Sequence, residues 1–361
     1  DDPMPWVSAF SFADSLKRGS EWKKWGSALL FKPKIYLKIE SMHLKSGVSD
    51  LFFYTAHSSI NKLVSELLNK SWSNKNNKEE VSIRLTSNSH AKFKKYFQQS
   101  LNLIHKSKLE KIVVAKQKNF KIVSKSNFLQ IWSRFFSAKH KNSHLYLFHY
   151  QNLNLFGATP ELLYEMKSNK VKIPAIAGTV PTNNNPKKQK ELTKQLLQSK
   201  KIRAEHQIVV NYISEILPKK LYKKKIVSRT QTLQLNFLQH LFTEVSFHLR
   251  KKLHPIKIVQ ALHPTPAMCG TPKHNALKQI LKSEPVDRGY FASPLGFFHS
   301  SLKTACYLVS IRSCLHKAQQ LTPFAGAGVV SGSTFEEENQ EIHRKMQTTL
   351  KHFAITDSPD E

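Results

Sequence analysis

The groups in this chain that could do chemistry lie in four short segments: KIVVAK (111–116), GATPELL (157–163), ALHPTPAMCG (261–270) and FAGAGVVSGSTFEEENQE (324–341). Lys111 directly precedes an apolar run. It is either a strand-end residue with its ammonium in water, or a base brought down from about 10.4 by burial or nearby cations. Glu161 follows a proline after a Gly-Ala-Thr turn and reads either as a helix-start carboxylate or as a general acid. Glu205 stands in an otherwise basic stretch, SKKIRAEHQIVV (199–210). It could pair with Lys201 at i,i+4, or join Glu341 as a hard oxygen ligand for Mg²⁺.

Gly326, Gly328 and Gly332 fall one residue short of a dinucleotide fingerprint, because the last gap is too long and no acidic residue follows about twenty positions on. They read as a turn that lets backbone approach a ligand. Ser333 with Glu336 has the form of a capping box, so a helix N-terminus should face that turn and favour a carboxylate. Glu338, Glu341 and Lys345 then share one helical face, either as a solvated salt-bridge face or as part of a site. His240 and His263 sit among apolar residues, as satisfied core histidines do. No His/Cys cluster suggests zinc, and no nucleophile elbow or Walker loop is present.

These segments need a scaffold. Strands are expected over 35–39, 51–54, 111–115, 305–311 and 321–325, with hairpins over 145–156 around Asn152 and over 164–173. Residues 176–180 lead into a turn over 182–186. Helices are expected over 60–68, 90–105, 126–136, 257–261, 275–282 and 334–353, and one long helix over 188–216. A polar run, 69–79, marks a loop. The mixed order of strands and helices, often as hairpins, favours an α+β arrangement over βαβ winding.

The chain has 361 residues, enough for one large domain or two small ones with a sizeable core. No apolar run approaches the roughly 18–20 residues of a membrane span. Three cysteines, Cys269, Cys306 and Cys314, lack metal-knuckle or redox spacing, which points to a reducing, cytoplasmic setting. The first residue is Asp1, which leaves the true N-terminus open; no signal-like segment is read after it. The net charge of +31 would suit a nucleic-acid or membrane-surface binder. Lysine far outnumbers arginine, however, and the basic runs at 187–190 and 219–225 lack the aromatic interleaving of a strand-binding groove. The charge is therefore read as compositional drift. Where arginine is scarce, Arg288 and Arg312 stand out, because lysine cannot replace a bidentate fork.

Taken together, the four segments resemble the chorismate-binding enzymes over about residues 90–355. Within that family the chain looks most like isochorismate synthase, because HPTPA with Ala267 is similar to the members that add water. Phe291 and Ile311 are similar to the isochorismate-forming rather than the salicylate-forming pattern. The resemblance implies one α+β domain of two packed, mainly antiparallel sheets with outer helices. It divides the chain into a diverged N-terminal part (1–90), a catalytic region (91–355) and a tail (356–361).

It also implies roles. Lys111 would activate the water that attacks C2 of chorismate, and Glu161 would protonate the departing C4 hydroxyl. Glu205 and Glu341 would hold Mg²⁺, with Glu338 close by. Arg312, with backbone near Gly326, would clamp the enolpyruvyl carboxylate. His240 and Ala267 would shape the pocket, while Gly178, Thr179 and Lys345 would line its carboxylate–metal side. The chain departs from the family pattern at the TVP after Gly178, at ENQE in the acidic helix and at Met268–Cys269. The implied partner is chorismate, with no membrane, no nucleic acid and no obligatory amidotransferase. A monomer is expected, and a role in menaquinone synthesis is favoured over a siderophore route. The competing readings are salicylate synthase, anthranilate synthase component I, and a basic nucleic-acid binder on a decayed scaffold.

Overall fold

The computed structural model describes residues 5–13, 21–31, 35–39, 49–53 and 80–356, apart from single positions 89, 137, 139, 141, 151, 236, 300 and 302. The helix expected over 60–68 and the loop over 69–79 lie outside the described residues.

Two large antiparallel sheets carry the fold. The first runs β11 (Tyr222–Val227), β13 (Leu238–Leu249), β10 (Lys170–Pro181), β9 (Leu162–Lys167), β16 (Thr304–Val309), β15 (Pro294–Phe298), β1 (Trp6–Phe10) and β2 (Ala28–Phe31), with β12 (Gln231–Gln234) also on β13. The second runs β19 (Ala354–Ile355), β5 (Ser82–Asn88), β6 (Lys111–Ile122), β18 (Gln320–Val330), β17 (Ser313–Lys317), β8 (Leu153–Thr159) and β7 (His144–Tyr150). A two-residue strand, β14 (Gly270–Thr271), lies on β6, and β3 (Ile35–Ile39) pairs with β4 (Ser49–Phe53) as a separate hairpin. Among these pairs only β19 with β5 is parallel. Residues of both sheets and of the helices join one apolar cluster, which includes Trp22 and Trp25 from the N-terminal stretch.

The helices are α1 (His90–His105), α2 (Phe128–Phe136), α3 (Pro186–Gln198), α4 (Lys200–Glu215), α5 (Pro255–Leu262), α6 (Lys273–Ser283) and α7 (Phe335–Leu350). None is long and apolar enough to cross a membrane. Among the described residues none of the three cysteines is in a disulfide. The hairpin at Asn152 forms as expected, with that asparagine at φ 64.

Three local expectations need correction. First, the single helix over 188–216 is two. Ser199 is extended, with ψ 121: its N–H closes α3 on Gln195 O, and its hydroxyl accepts from Ile202 N to open α4. A serine hydroxyl offers the backbone a non-helical partner, and here it ends one helix and begins the next. The break lets α4 bury His206, Val209, Val210 and Ile213. Each aliphatic side chain so buried stabilises the packing by about 1.5–3 kcal/mol.

Second, Gly326 and Gly328 lie inside β18 rather than in a turn; only Gly332, at φ 84, sits past the strand end. Third, α7 is capped one residue later than expected. Thr334 Oγ1 accepts from Glu337 N, while Ser333 Oγ accepts from Val330 N. Both hydroxyls fit the sequence pattern equally well, and the strand end decides between them.

Candidate active site

Strands β6, β10, β13 and β18 and helices α4 and α7 converge on one cleft. Lys111 opens β6, paired with Val330 at the end of β18, and its side chain is 1 % exposed. Its ammonium donates to Glu205 Oε1 from α4 at 2.8 Å. Glu205 is thus held by Lys111, not by Lys201, which instead stands 3.6 Å from both Glu337 and Glu338. The pair needs Gly328: a Cβ there would stand 2.8 Å from Glu205 Oε1 and 2.9 Å from Lys111 Cε. Gly326, two residues back on the same face, offers its carbonyl to Lys345 Nζ at 2.7 Å, and Lys345 also holds Glu341 one turn earlier at 2.6 Å.

Gly178 is a β-bulge, where the β10–β13 register shifts between Ala177 and Thr179. Its φ of 76 suits glycine, and a Cβ would meet Ile202 of α4 at 2.5 Å. Thr179 Oγ1 lies 3.0 Å from His240 Nδ1 across the β10–β13 pair. The other ring nitrogen of His240, Nε2, is buried without a hydrogen-bond partner among the described residues. Burial, then Arg312 and Lys345, hold His240 well below the usual imidazole range, so the ring is neutral. His263, by contrast, is a satisfied core residue, with Nε2 3.1 Å from Phe12 O.

Lys111, Glu161, Gly178, Thr179, Glu205, His240, Ala267, Arg312, Gly326, Glu341 and Lys345 all border this cleft, which encloses about 760 Å³, part of it open to solvent. Glu338 does not border it, although Glu341 and Glu205 act on its carboxyl. Phe291 and Ile311 also border it, Phe291 stacked on Phe324 with ring centres 5.3 Å apart. Gly328, Arg288, Pro160, Ile176 and Ala292 are also in the wall. Sequence reasoning singles out Arg288 for its side chain and Gly328 as part of the glycine set; the other three give no signal.

The carboxyls differ in character. Burial pushes Glu161 up to about 7, with Arg312, Lys345 and Lys111 pulling it back. Burial would also raise Glu205, but Lys111, by charge and hydrogen bond, with Lys345 and Lys201, outweighs it and holds Glu205 below its ordinary value. Burial and then Glu341 raise Glu338 to about 7, against the Ser333 hydroxyl and Lys201. Arg312 is lowered by burial to about 10, opposed by Glu341 and Glu161. A carboxyl that keeps its proton near neutrality beside a guanidinium that stays charged is the arrangement an acid and an anion clamp require.

A divalent cation fits this donor set. Glu205 and Glu341 offer hard oxygens, and mutual repulsion with Glu338 is what such a cation relieves. Among the described residues no three acidic, His or Cys side chains converge as a ligand group. Each of the three carboxylates is engaged by a lysine instead: Glu205 by Lys111, Glu341 by Lys345 and Glu338 by Lys201.

Known proteins resemble this chain in sequence and in fold. Isochorismate synthase MenF of Haemophilus influenzae is 30% identical over 257 residues, 71% of this chain and 59% of that protein. Isochorismate synthase DhbC of Bacillus subtilis is 32% identical over 202 residues, 56% of this chain and 50% of that protein. The chain thus spans about half to three fifths of the length of these curated relatives. Among solved structures, a putative 2,3-dihydroxybenzoate-specific isochorismate synthase, DhbC from Bacillus anthracis, superposes with a TM-score of 0.76 at 25% identity, covering 97% of this chain and 84% of that one. Anthranilate synthase component I from Streptococcus pneumoniae shares the fold, with a TM-score of 0.68 at 18% identity over 96% of this chain and 80% of that one. The family model for chorismate binding enzymes matches residues 3–354, from before β1 to the start of β19, and on that match this chain belongs to the chorismate-binding enzyme family.

Proposed function

We propose that this chain is a Mg²⁺-dependent isochorismate synthase. The observation that carries the reading is that a buried lysine, Lys111, and a buried carboxyl raised to about 7, Glu161, face one cleft with Arg312 and Lys345. Lys111 is the base that takes a proton from the water whose oxygen bonds to C2 of chorismate. The ring double bonds shift, the C4–O bond breaks, and Glu161 gives its proton to the departing hydroxyl, which leaves as water. Such a positioned acid and base each contribute about 10²- to 10⁴-fold. Arg312 clamps the enolpyruvyl carboxylate with its planar fork. The neutral His240 ring, with Thr179 and Ala267, shapes the wall against the reacting carbons.

Glu205 and Glu341 are the residues that would hold Mg²⁺, with Glu338 nearby; the ion would neutralise the ring carboxylate. The relatives named MenF, at 30% identity over 71% of this chain and 30% over 74%, support menaquinone synthesis as the destination.

The test is chorismate turnover with and without Mg²⁺, products separated by chromatography, beside Lys111→Ala and Glu161→Gln. Metal-dependent isochorismate, lost in both variants, is the expected result. Salicylate with pyruvate would replace the reading by salicylate synthase, and no turnover by folded protein would end it.

A further inference from the structure

Among the described residues, strand pairing covers one edge of the apolar strand that presents Lys111 only in part. On one side, β6 pairs with β18 along its length. On the other, β14 covers Lys111 and Ile112, and β5 begins only at Lys118. Between them, on that edge, residues 113–115 are paired with no strand among the described residues. Cys269 O accepts from Val113 N at 2.8 Å. The next two groups on that edge meet side chains: Val113 O accepts from Arg288 Nη2 at 2.7 Å, and Ala115 N donates to Glu284 Oε1 at 2.8 Å.

A β-edge presents alternating carbonyls and N–H groups, and buried ones must be satisfied. A guanidinium supplies only donors and a carboxylate only acceptors, so the pair reproduces what a neighbouring strand would offer. The two are locked together by paired bonds, Arg288 Nε to Glu284 Oε2 at 2.6 Å and Nη2 to Oε1 at 2.8 Å. Arg288 Nη1 also donates to Met268 O at 2.7 Å, next to Ala267 in the cleft wall. Its guanidinium carbon lies 4.2 Å over the Phe12 ring. Both side chains are almost fully buried.

We infer that Glu284 and Arg288 are positioning residues that splice the open edge of β6 to the 264–269 loop, and so fix Lys111 and Ala267 relative to each other. The inference rests on the proposed role of Lys111. Position matters here, since a displacement near 1 Å at a reacting group costs about 10²-fold in rate.

The test pairs Arg288→Met with the double variant Glu284→Gln/Arg288→Met, which leaves no unpaired buried charge if the single variant does not fold. Circular dichroism establishes folding, steady-state kinetics separates kcat from KM, and hydrogen–deuterium exchange follows the amides of residues 113–116. The expected result is a folded double variant with kcat down about 10²-fold, KM within about threefold, and faster exchange at 113–116 but not in α7. A KM rise of about tenfold with kcat kept would overturn the inference, making Arg288 a substrate-binding residue. Faster exchange with unchanged kinetics would also overturn it, leaving a purely structural pair, as would exchange that does not change. Wild-type protein that fails to turn over chorismate would defeat the proposed function itself, whatever the variants show.

Discussion

Replacing Gly328 by alanine tests the site with one methyl group. The Cβ would stand 2.8 Å from Glu205 Oε1, where ordinary contact begins at 3.4 Å, so the carboxylate must retreat by about 0.6 Å. It would also stand 2.9 Å from Lys111 Cε and 3.3 Å from Nζ, so the lysine moves as well. The backbone is not the obstacle, because Gly328 has no positive φ and sits in an ordinary strand. In the unfolded chain, alanine for glycine lowers the entropy lost on folding and favours the native state by about 0.4–1 kcal/mol. The melting temperature should therefore stay level or move by only a few degrees. The damage falls on the pair. If about 1 Å of misplacement costs 10²-fold, a shift of about 0.6 Å costs about 10- to 30-fold in kcat. That is about 1.4–2 kcal/mol at the transition state. The assay is steady-state conversion of chorismate to isochorismate at saturating Mg²⁺, beside Gly326→Ala. There the new Cβ meets Val114 O at 3.0 Å and leaves the pair untouched. A folded Gly328→Ala enzyme with kcat within about twofold of wild type would refute the claim that the Lys111–Glu205 geometry limits the reaction.

Other expectations arise from the same site. In the proposed reaction Glu161 must carry the proton it donates, and it is pushed up to about 7, so turnover should fall as pH climbs through that value. In the folded state the raised carboxyl keeps a proton that the unfolded chain loses near its ordinary 4.5, so its contribution to stability falls as pH rises from about 4.5 to 7. Glu161→Gln removes that slope, and its melting temperature relative to wild type should rise across the same window; a constant difference would count against the raised value. Arg312→Lys keeps a charge but loses the fork, and should raise KM for chorismate about 10- to 100-fold with a smaller change in kcat; equal losses in both would point instead to a transition-state role. Glu341→Gln should weaken Mg²⁺, read by calorimetry without substrate, by no less than the roughly 10- to 100-fold that losing an outer partner costs; unchanged affinity would remove Glu341 from the metal site.

Much of the scaffold is legible because period and punctuation agree. Asn152 marks the turn between two alternating runs, and Pro264 ends the helical piece before it. Strand lengths are not legible in the same way. The apolar run of β6 ends at Ala115, yet the strand continues to Ile122, because its second half, QKNFKI, looks polar until β18 and β5 cover it. The break at Ser199 is hidden because the helical pattern of apolar residues continues across it, and the contact of Ile202 with the bulge at Gly178 appears only in the fold. Motifs reveal the site residues, but not their partners. Nothing local says that Glu205 meets Lys111, 94 positions away, rather than Lys201, four positions away.

The same distinction bears on the net charge of +31. The basic runs lie on exposed faces: Lys187, Lys188 and Lys190 on α3, and Lys219, Lys220 and Lys223 to Lys225 at the outer strand β11. The cations that matter to the cleft are few and buried or half-buried, namely Lys111, Arg312 and Lys345. Lys111 and Lys345 each face a carboxylate, Glu205 and Glu341, so the resting cleft is less positive than its cations alone would make it. Exposed charge beyond about 8–10 Å is screened at physiological salt, whereas a desolvated cation at a few ångströms is not. Recognition of a doubly anionic ligand therefore depends on which carboxylates give up their lysines to it, a property of three or four residues that a net charge does not register.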